Sequence, residues 1–411
     1  MRIYLAPCGI GLGHVTRTKS IAKKLLENGD EIVLSTYLDG LKYAKAMGFN
    51  TVASHPILFK VANDGTVDFR KTSARSGLTL GFHRYILKQI VSEITNMKQF
   101  KPDLVFSDSR ASSVIAARLL RIPIILMLNQ FKVEMIRKPS KEKMSLLDRL
   151  FFFIANIFWV FIRTLIGDIW GQSNLILIPD FPNPNTICIE NLAIPRKYLS
   201  KVKYIGPIVD LAPNDLQVTQ DMLEKLNLSK SKVTIYVAIS GPKVERQYLT
   251  NQLLKVLQDI PEDLQFVLSC GDPDGNRNPT IINNLIKYEW LNEETQYALL
   301  KIADIIICRS GHGSITKALT FGKPIILIPT PDHTEQILNA KRAVQLGVGV
   351  MLEQKELTKR TLLNAITKIS QNTEFKKKTE YFCNLAQNLS SIDTTVRLIA
   401  ETKSKRVNMS D

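Results

Sequence analysis

A histidine set among glycines is the first feature of this chain that can do chemistry. The run RIYLAP reads as a strand. It leads into Cys8-Gly9-Ile10-Gly11-Leu12-Gly13-His14-Val15-Thr16-Arg17 and then an amphipathic stretch through SIAKKLL. Glycines at a strand-to-helix turn let the backbone bend tightly and aim N–H groups at an anion. An imidazole at that point is placed to remove a proton from a hydroxyl, provided a carboxylate orients the ring. Asp108 closes the apolar run DLVFSD. In a parallel sheet, strand C-termini and the glycine loop share one edge, so Asp108 can hold the other ring nitrogen of His14 and set its tautomer. Asp103, at the opposite end of that strand, is expected to be structural.

The second half carries two more turns of the same kind. Ser240-Gly241 follows VTIYVAIS, and Arg309-Ser310-Gly311-His312-Gly313-Ser314 follows DIIIC, with two glycines and a serine hydroxyl at a helix start. Further on, His333, Glu335 and Gln336 head a helix with side chains suited to sugar hydroxyls.

These residues need an alternating β/α scaffold, and the chain supplies one. RIYLAP, EIVLST, DLVFSD, PIILML and LILIPD read as strands in the first half, with helices near 14–28, 38–47, 80–99 and 110–121. VTIYVAIS, QFVLSC, DIIICRS and PIILIP repeat the grammar in the second. The fold class is therefore α/β, two Rossmann-like parallel-sheet domains with a cleft between them. KYIGPIVDLAPND reads as the linker. The expected division is 1–206, 207–385, and a C-terminal helix and tail over 386–411, with KSKRVNMSD disordered.

A length of 411 residues, 45% hydrophobic and 22% charged, suits two globular domains. The net charge of +16 is uneven, with 29 Lys/Arg against 16 Asp/Glu in residues 1–210. An anionic partner is expected there: nucleic acid, a membrane surface or a phosphorylated substrate. The segment Leu150 to Ile162 narrows the choice. Its thirteen residues include Phe151, Phe152, Phe153, Phe158, Trp159 and Phe161, and only Asn156 is polar. Lys138, Lys141 and Lys143 lie upstream, and Arg149 and Arg163 flank it. This is too short to span a bilayer and has the character of a helix in a membrane interface, or one buried between domains. Nucleic acid is disfavoured, because the aromatics do not interleave with basic residues.

Other classes are excluded on composition and motif. Five scattered cysteines (Cys8, Cys188, Cys270, Cys308, Cys383) lack a C-x-x-C and suggest a reducing compartment. The N-terminus lacks the apolar core of a signal peptide. The G-x-G-x-G-H spacing is a poor dinucleotide fingerprint, with Glu31 too early and Asp39 too late for a ribose carboxylate. Asp272-Pro273-Asp274-Gly275 reads as a turn. His55, His83 and the cysteines form no metal set, so no metal and no bound cofactor are expected.

The block from Tyr288 to Gly349, together with the glycine loop and the Tyr204-to-Pro207 linker, resembles the GT-B glycosyltransferases, in the branch with bacterial MurG and the nucleotide-sugar glucuronosyl- and glucosyltransferases. Ser314, Gly322, Pro324, Gln336, Asn339 and Ala340 match the family's nucleotide-sugar pattern. The resemblance implies that Ser240, Gly241, Arg309 and Gly311, His312, Gly313 and Ser314 steady the leaving diphosphate. It places Glu335 and Gln336 by the hexose, beside His333, and makes His14 the catalytic base paired with Asp108. Gly11, Gly13 and Arg17 are expected at the acceptor, with Arg17, three residues after His14 on the same helical face, at its diphosphate. The chain departs from the pattern at Lys317, where the family has a ribose-holding glutamate; a lysine there would meet donor phosphate, or the ribose is bound from elsewhere. Leu128 stands where the MurG-like enzymes carry a glutamate.

The likeness is greatest to archaeal enzymes that add N-acetylglucosamine to a dolichyl-diphosphate sugar. The expectation is thus an inverting, metal-independent transferase. Its nucleotide sugar would be UDP-GlcNAc and its acceptor a lipid-diphosphate-linked sugar, at the cytoplasmic face of the cell membrane, as in N-glycan precursor assembly. A transferase making a glycolipid or small-molecule glycoside, a nucleotide-sugar 2-epimerase and a non-catalytic membrane-recruiting subunit are the alternatives. A homo-oligomer stays open.

Overall fold

The computed structural model describes residues 1–57, 82–131, 146–272 and 274–410. The first half builds a seven-stranded parallel sheet from β1 (Arg2–Pro7), β2 (Glu31–Thr36), β3 (Thr51–Ala53), β4 (Leu104–Asp108), β5 (Ile124–Met127), β6 (Leu175–Ile178) and β7 (Val202–Tyr204). Its order is β3-β2-β1-β4-β5-β6-β7. The helices are α1 (Gly13–Glu27), α2 (Leu38–Ala46), α3 (Phe82–Phe100), α4 (Ala111–Leu119), α5 (Leu146–Gly171) and the short α6 (Ile189–Leu192). Strands covered on both faces read as near-continuous apolar runs. Accordingly Ile3 and Leu5 pack with Val15, Ile21 and Leu25 of α1, while Tyr4 and Ala6 pack the other way, with Met97 of α3 and Val114 of α4.

The second half repeats the plan with β8 (Val233–Ala238), β9 (Leu264–Ser269), β10 (Thr280–Ile282), β11 (Leu285–Tyr288), β12 (Ile305–Cys308), β13 (Ile325–Leu327) and β14 (Gly349–Met351). The order is β10-β11-β9-β8-β12-β13-β14, and only β10 runs antiparallel to its neighbour. Around it lie α7 (Gln220–Lys225), α8 (Lys243–Val256), α9 (Glu293–Ile302), α10 (His312–Thr320), α11 (Thr334–Gln345), α12 (Lys359–Gln371) and α13 (Thr373–Gln387).

The C-terminus departs from the expected disordered tail. Helix α14 (Ser391–Ser410) returns to the first half, where Leu398 and Ile399 are buried beside α1 and Lys403 pairs with Asp103 at 2.9 Å. The expected linker also begins two residues early, since Lys203 and Tyr204 belong to β7. Two stretches of chain therefore pass between the halves, one after β7 and one after α13, and they touch. Gly206 has φ +87, and a Cβ there would lie 2.6 Å from Ser391 Oγ and 2.8 Å from Leu389 Cβ.

Candidate active site

A cleft of about 1560 Å³ separates the two sheets, and the loops after β1, β4, β5, β8 and β12 open into it. This is the carboxyl edge of both sheets, where ligands bind in open α/β folds. On the first wall, Pro7 and Asp108 are register partners at the ends of β1 and β4. The amide of Cys8 donates to the Asp108 carbonyl at 3.0 Å. The chain then turns through Gly9, where a Cβ would collide with the Tyr37 carbonyl oxygen at 2.1 Å, and Gly11, at φ +68. His14 follows in the first turn of α1, with its Nδ1 2.8 Å from Asp108 Oδ1.

Asp108 is wholly buried and serves more than His14. Arg17 Nε donates to its Oδ2 at 2.6 Å, the second Arg17 nitrogen donates to Oδ1, and the Ser109 hydroxyl adds a bond at 3.2 Å. Burial alone would raise the Asp108 carboxyl. Arg17 and His14 outweigh that and hold it below the usual carboxylate range. Arg17, expected at the acceptor's diphosphate, is committed instead to Asp108 and, at 3.1 Å, to Asn129 Oδ1. A guanidinium one turn after His14 meets the same buried carboxylate before it can reach a ligand.

On the opposite wall, α10 starts at His312 behind Gly311, and no side chain caps it. A Cβ at Gly313 would meet nothing within 4 Å, so the helix end faces open cleft, as an anion seat requires. Ser314, Ser240 and Gly241 line the same cleft.

Four expected donor residues border the cleft with side-chain atoms already engaged by the protein itself. The Arg309 guanidinium is 1% exposed and donates to the Glu245 carbonyl at 3.0 Å and to Gln354, inside its own domain; burial pushes its pKa down to about 10. His312 turns back to the first half, with Nε2 3.0 Å from Asp180 Oδ2. His333 caps α11 by accepting from the Gln336 amide at 3.4 Å, and Gln336 Oε1 accepts from the Thr330 amide at 2.8 Å. Glu335 does face the cleft, but one of its oxygens accepts from Asn129 Nδ2 at 2.8 Å.

Lys317 lies one turn below Ser314 on α10, its ammonium 5.7 Å from the Tyr297 ring centroid. Burial lowers its pKa, against the opposing pull of Asp210 and Glu293. Those two carboxylates already bind Lys19 of α1, at 2.5 Å to Asp210 and more closely to Glu293, which ties the first domain to the linker and to α9. Burial works against the Lys19 charge too, but its two carboxylates raise its pKa overall.

Among the described residues one trio, Asp180, Cys188 and His312, brings metal-ligating atoms within 4.8 Å of one another, a grouping not visible from spacing. Asp180 there accepts backbone N–H groups from Phe181, Ile187 and Cys188. These bonds make it the buried anchor of the 180–188 loop against α10. At the Asp272-Pro273-Asp274-Gly275 motif, whose Pro273 lies outside the described residues, the Gly275 amide donates to the Asp272 carbonyl at 3.0 Å.

The aromatic segment is the outer part of α5. Leu146, Leu150, Phe153, Ile157, Phe161 and Leu165 share one helical face, and all are exposed, Phe153 by 64% and Phe161 by 66%. The side chains of Phe151, Phe152, Phe158 and Trp159, and Lys138, Lys141 and Lys143, lie outside the described residues. The last turns of α5 descend into the domain, where Ile166 and Trp170 line the cleft. No described helix is long and apolar enough to cross a membrane.

Sequence reasoning missed Asn129 and Lys19. Asn129 follows β5 on the edge that carries His14 and Asp108, so the strand-end argument that found Asp108 reaches it too. Lys19 looks like a solvent-facing helix lysine, and its partners are 191 and 274 residues away in the chain.

Comparison with known proteins bears on the fold and the class of enzyme. Residues 242–393 match the Glycosyltransferase family 28 C-terminal domain, and residues 1–154 match Glycosyl transferase family 1. An uncharacterized glycosyltransferase of Methanosarcina acetivorans is 26% identical over 99% of this chain and 100% of its own. The UDP-N-acetylglucosamine--N-acetylmuramyl-(pentapeptide) pyrophosphoryl-undecaprenol N-acetylglucosamine transferase of Clostridium botulinum is 25% identical over 95% of each chain. The fold is similar to that of the spinosyn rhamnosyltransferase SpnG complexed with thymidine diphosphate, with a TM-score of 0.65 and 14% identity over 97% of this chain and 100% of that one. The fold is GT-B, and the chain is a glycosyltransferase.

Proposed function

We propose that this GT-B glycosyltransferase is an inverting, metal-independent enzyme that moves N-acetylglucosamine from UDP-GlcNAc to a sugar on a lipid diphosphate, working as a peripheral protein at the cytoplasmic membrane face. His14 Nε2 takes the acceptor hydroxyl's proton as the oxygen attacks the anomeric carbon opposite the nucleotide. The bond from that carbon to the diphosphate breaks, and its electron pair leaves with the nucleotide. The open end of α10, with Ser314, Ser240 and Gly241, receives the developing charge, as preorganised amides do at such centres. Lys317 adds a cation at the same end. Asp108 orients His14 and balances the ring once it has gained a proton.

The observation that carries the lipid half is the course of α5. Its inner turns line the cleft and its outer turns present a continuous apolar face, so one helix leads from the reaction centre to a surface suited to lipid. The positive surplus of residues 1–210 lies in the same domain. The Clostridium relative, named for transfer of N-acetylglucosamine to a pyrophosphoryl-undecaprenol acceptor, supports both the sugar and the acceptor class.

The test is a panel of nucleotide sugars against lipid-diphosphate and soluble acceptors, with products read by mass spectrometry. Transfer of N-acetylglucosamine to the lipid acceptor is expected. Transfer to soluble acceptors alone overturns the membrane half, and interconversion of nucleotide sugars without acceptor overturns the transferase mechanism in favour of epimerisation.

A further inference from the structure

We propose that Asn129 is a positioning residue that readies His14 through Arg17 once Glu335 arrives from the opposite domain. The inference rests on the reading of His14 as the base. His14 Nδ1 has two neighbours with opposite demands. Asp108 Oδ1, at 2.8 Å, can only accept a hydrogen bond, and the Arg17 terminal nitrogen, at 3.0 Å, can only donate one. A single ring nitrogen satisfies one of them at a time. With the proton on Nδ1, the ring donates to Asp108 and Nε2 is a bare base facing the cleft. With Nδ1 bare, the ring accepts from Arg17, the proton sits on Nε2, and the ring has no lone pair to offer an acceptor hydroxyl.

The direction in which Arg17 is drawn decides between the two. Its other terminal nitrogen donates to Asn129 Oδ1 at 3.1 Å, and Asn129 Nδ2 donates to Glu335 Oε1 at 2.8 Å. Asn129 is buried on the first domain and Glu335 stands at the head of α11 on the second. Only one orientation of the amide suits both neighbours, its oxygen toward a pure donor and its nitrogen toward a pure acceptor. Glu335 therefore locks Asn129 with its oxygen on Arg17, which anchors the far end of the guanidinium and leaves the Nδ1 proton to Asp108, the nearer of the two neighbours. Without Glu335 the amide loses the acceptor that fixes its orientation, and its hold on the guanidinium that competes for Nδ1 weakens. The base is thus made ready by the closed arrangement of the domains, when a donor held on α11 stands opposite.

The experiment uses the full chain labelled with 15N-histidine, with His14→Gln to assign the resonance. The wild type should show His14 as the Nδ1–H tautomer, and Asn129→Leu should move it toward Nε2–H. Turnover of Asn129→Leu should fall about 10- to 100-fold with the donor KM within about threefold. Asn129→Asp keeps an acceptor for Arg17 and should keep the wild-type tautomer. Should Asn129→Leu not fold, Glu335→Ala breaks the relay from the other domain and is read in the same resonance. An unchanged tautomer, or unchanged turnover in Asn129→Leu, overturns the relay. Near wild-type turnover in His14→Ala overturns the base reading instead, whatever the tautomer does.

Discussion

Pro7 and Asp108 are register partners at the ends of adjacent parallel strands, and that pairing sets a buried carboxylate 2.8 Å from Nδ1 of His14. Asp108 keeps its two Arg17 bonds when the ring is gone, so removing His14 should subtract chemistry without disturbing the domain. His14→Ala should lower turnover by about 10²- to 10⁴-fold, with a melting temperature close to that of the wild type. Steady-state kinetics with calorimetry checks both.

Asp108 is a different case, because Arg17 depends on it. Asp108→Asn should lose turnover and also destabilise the first domain by about 3–5 kcal/mol, the cost of leaving a buried guanidinium without its partner. The pH dependence has a definite sign. Arg17 and His14 place the folded carboxyl below its unfolded value despite burial. Its contribution to stability is therefore complete above the ordinary carboxylate range, about pH 4, and is lost only as pH falls through the folded value. The stability gap between wild type and Asp108→Asn should stay level from neutral pH to about 4 and close below it.

Lys317 should show the opposite balance of function and stability. Burial lowers its pKa, so the charged form is disfavoured in the folded state, and that penalty is relieved as pH rises through the folded value. Lys317→Met should keep or raise the melting temperature while the nucleotide-sugar KM rises about tenfold, the scale of one charge-assisted contact. A fall in both stability and affinity would mark the lysine as structural.

The outer face of α5 can be tested apart from the chemistry. Replacing Phe153 and Phe161 together with serine should weaken binding to anionic vesicles by at least about tenfold, since each buried phenylalanine contributes about 1.5–3 kcal/mol. Turnover on a soluble, short-chain acceptor should be unchanged. Vesicle co-sedimentation and the soluble assay separate the two effects.

Chelation tests the metal-free mechanism. Activity should persist in EDTA, because the departing diphosphate is met by the α10 amides and by cations of the chain. Complete loss, restored by a divalent ion, would reject it and direct attention to Asp180, Cys188 and His312.

Much of the site was legible because one rule places it: in a parallel sheet, strand ends share an edge. His14, Asp108, Ser240 and Gly311 to Ser314 follow from that rule and from glycine spacing. Arg309 illustrates what the rule does not cover. It begins the loop at the right edge, but its side chain is drawn inward by Glu245 and Gln354, and neither is adjacent to it in sequence. Arg17 and Glu335 were placed on the correct walls, yet their partners lie across the fold and were invisible from spacing. Among the elements, β3, β7 and β14 are three-residue strands at or next to sheet edges, too short for any periodicity to register. The return of α14 depends on where its apolar face finds a partner, which no local pattern states.

The contact at Gly206 carries a mechanical meaning. The two chain passages between the halves meet at that residue, so the halves are tied side by side along one seam, as covers are bound to one spine. Severing the stretch after Gly206 would not free them, because α14 would still lash the second half to the first.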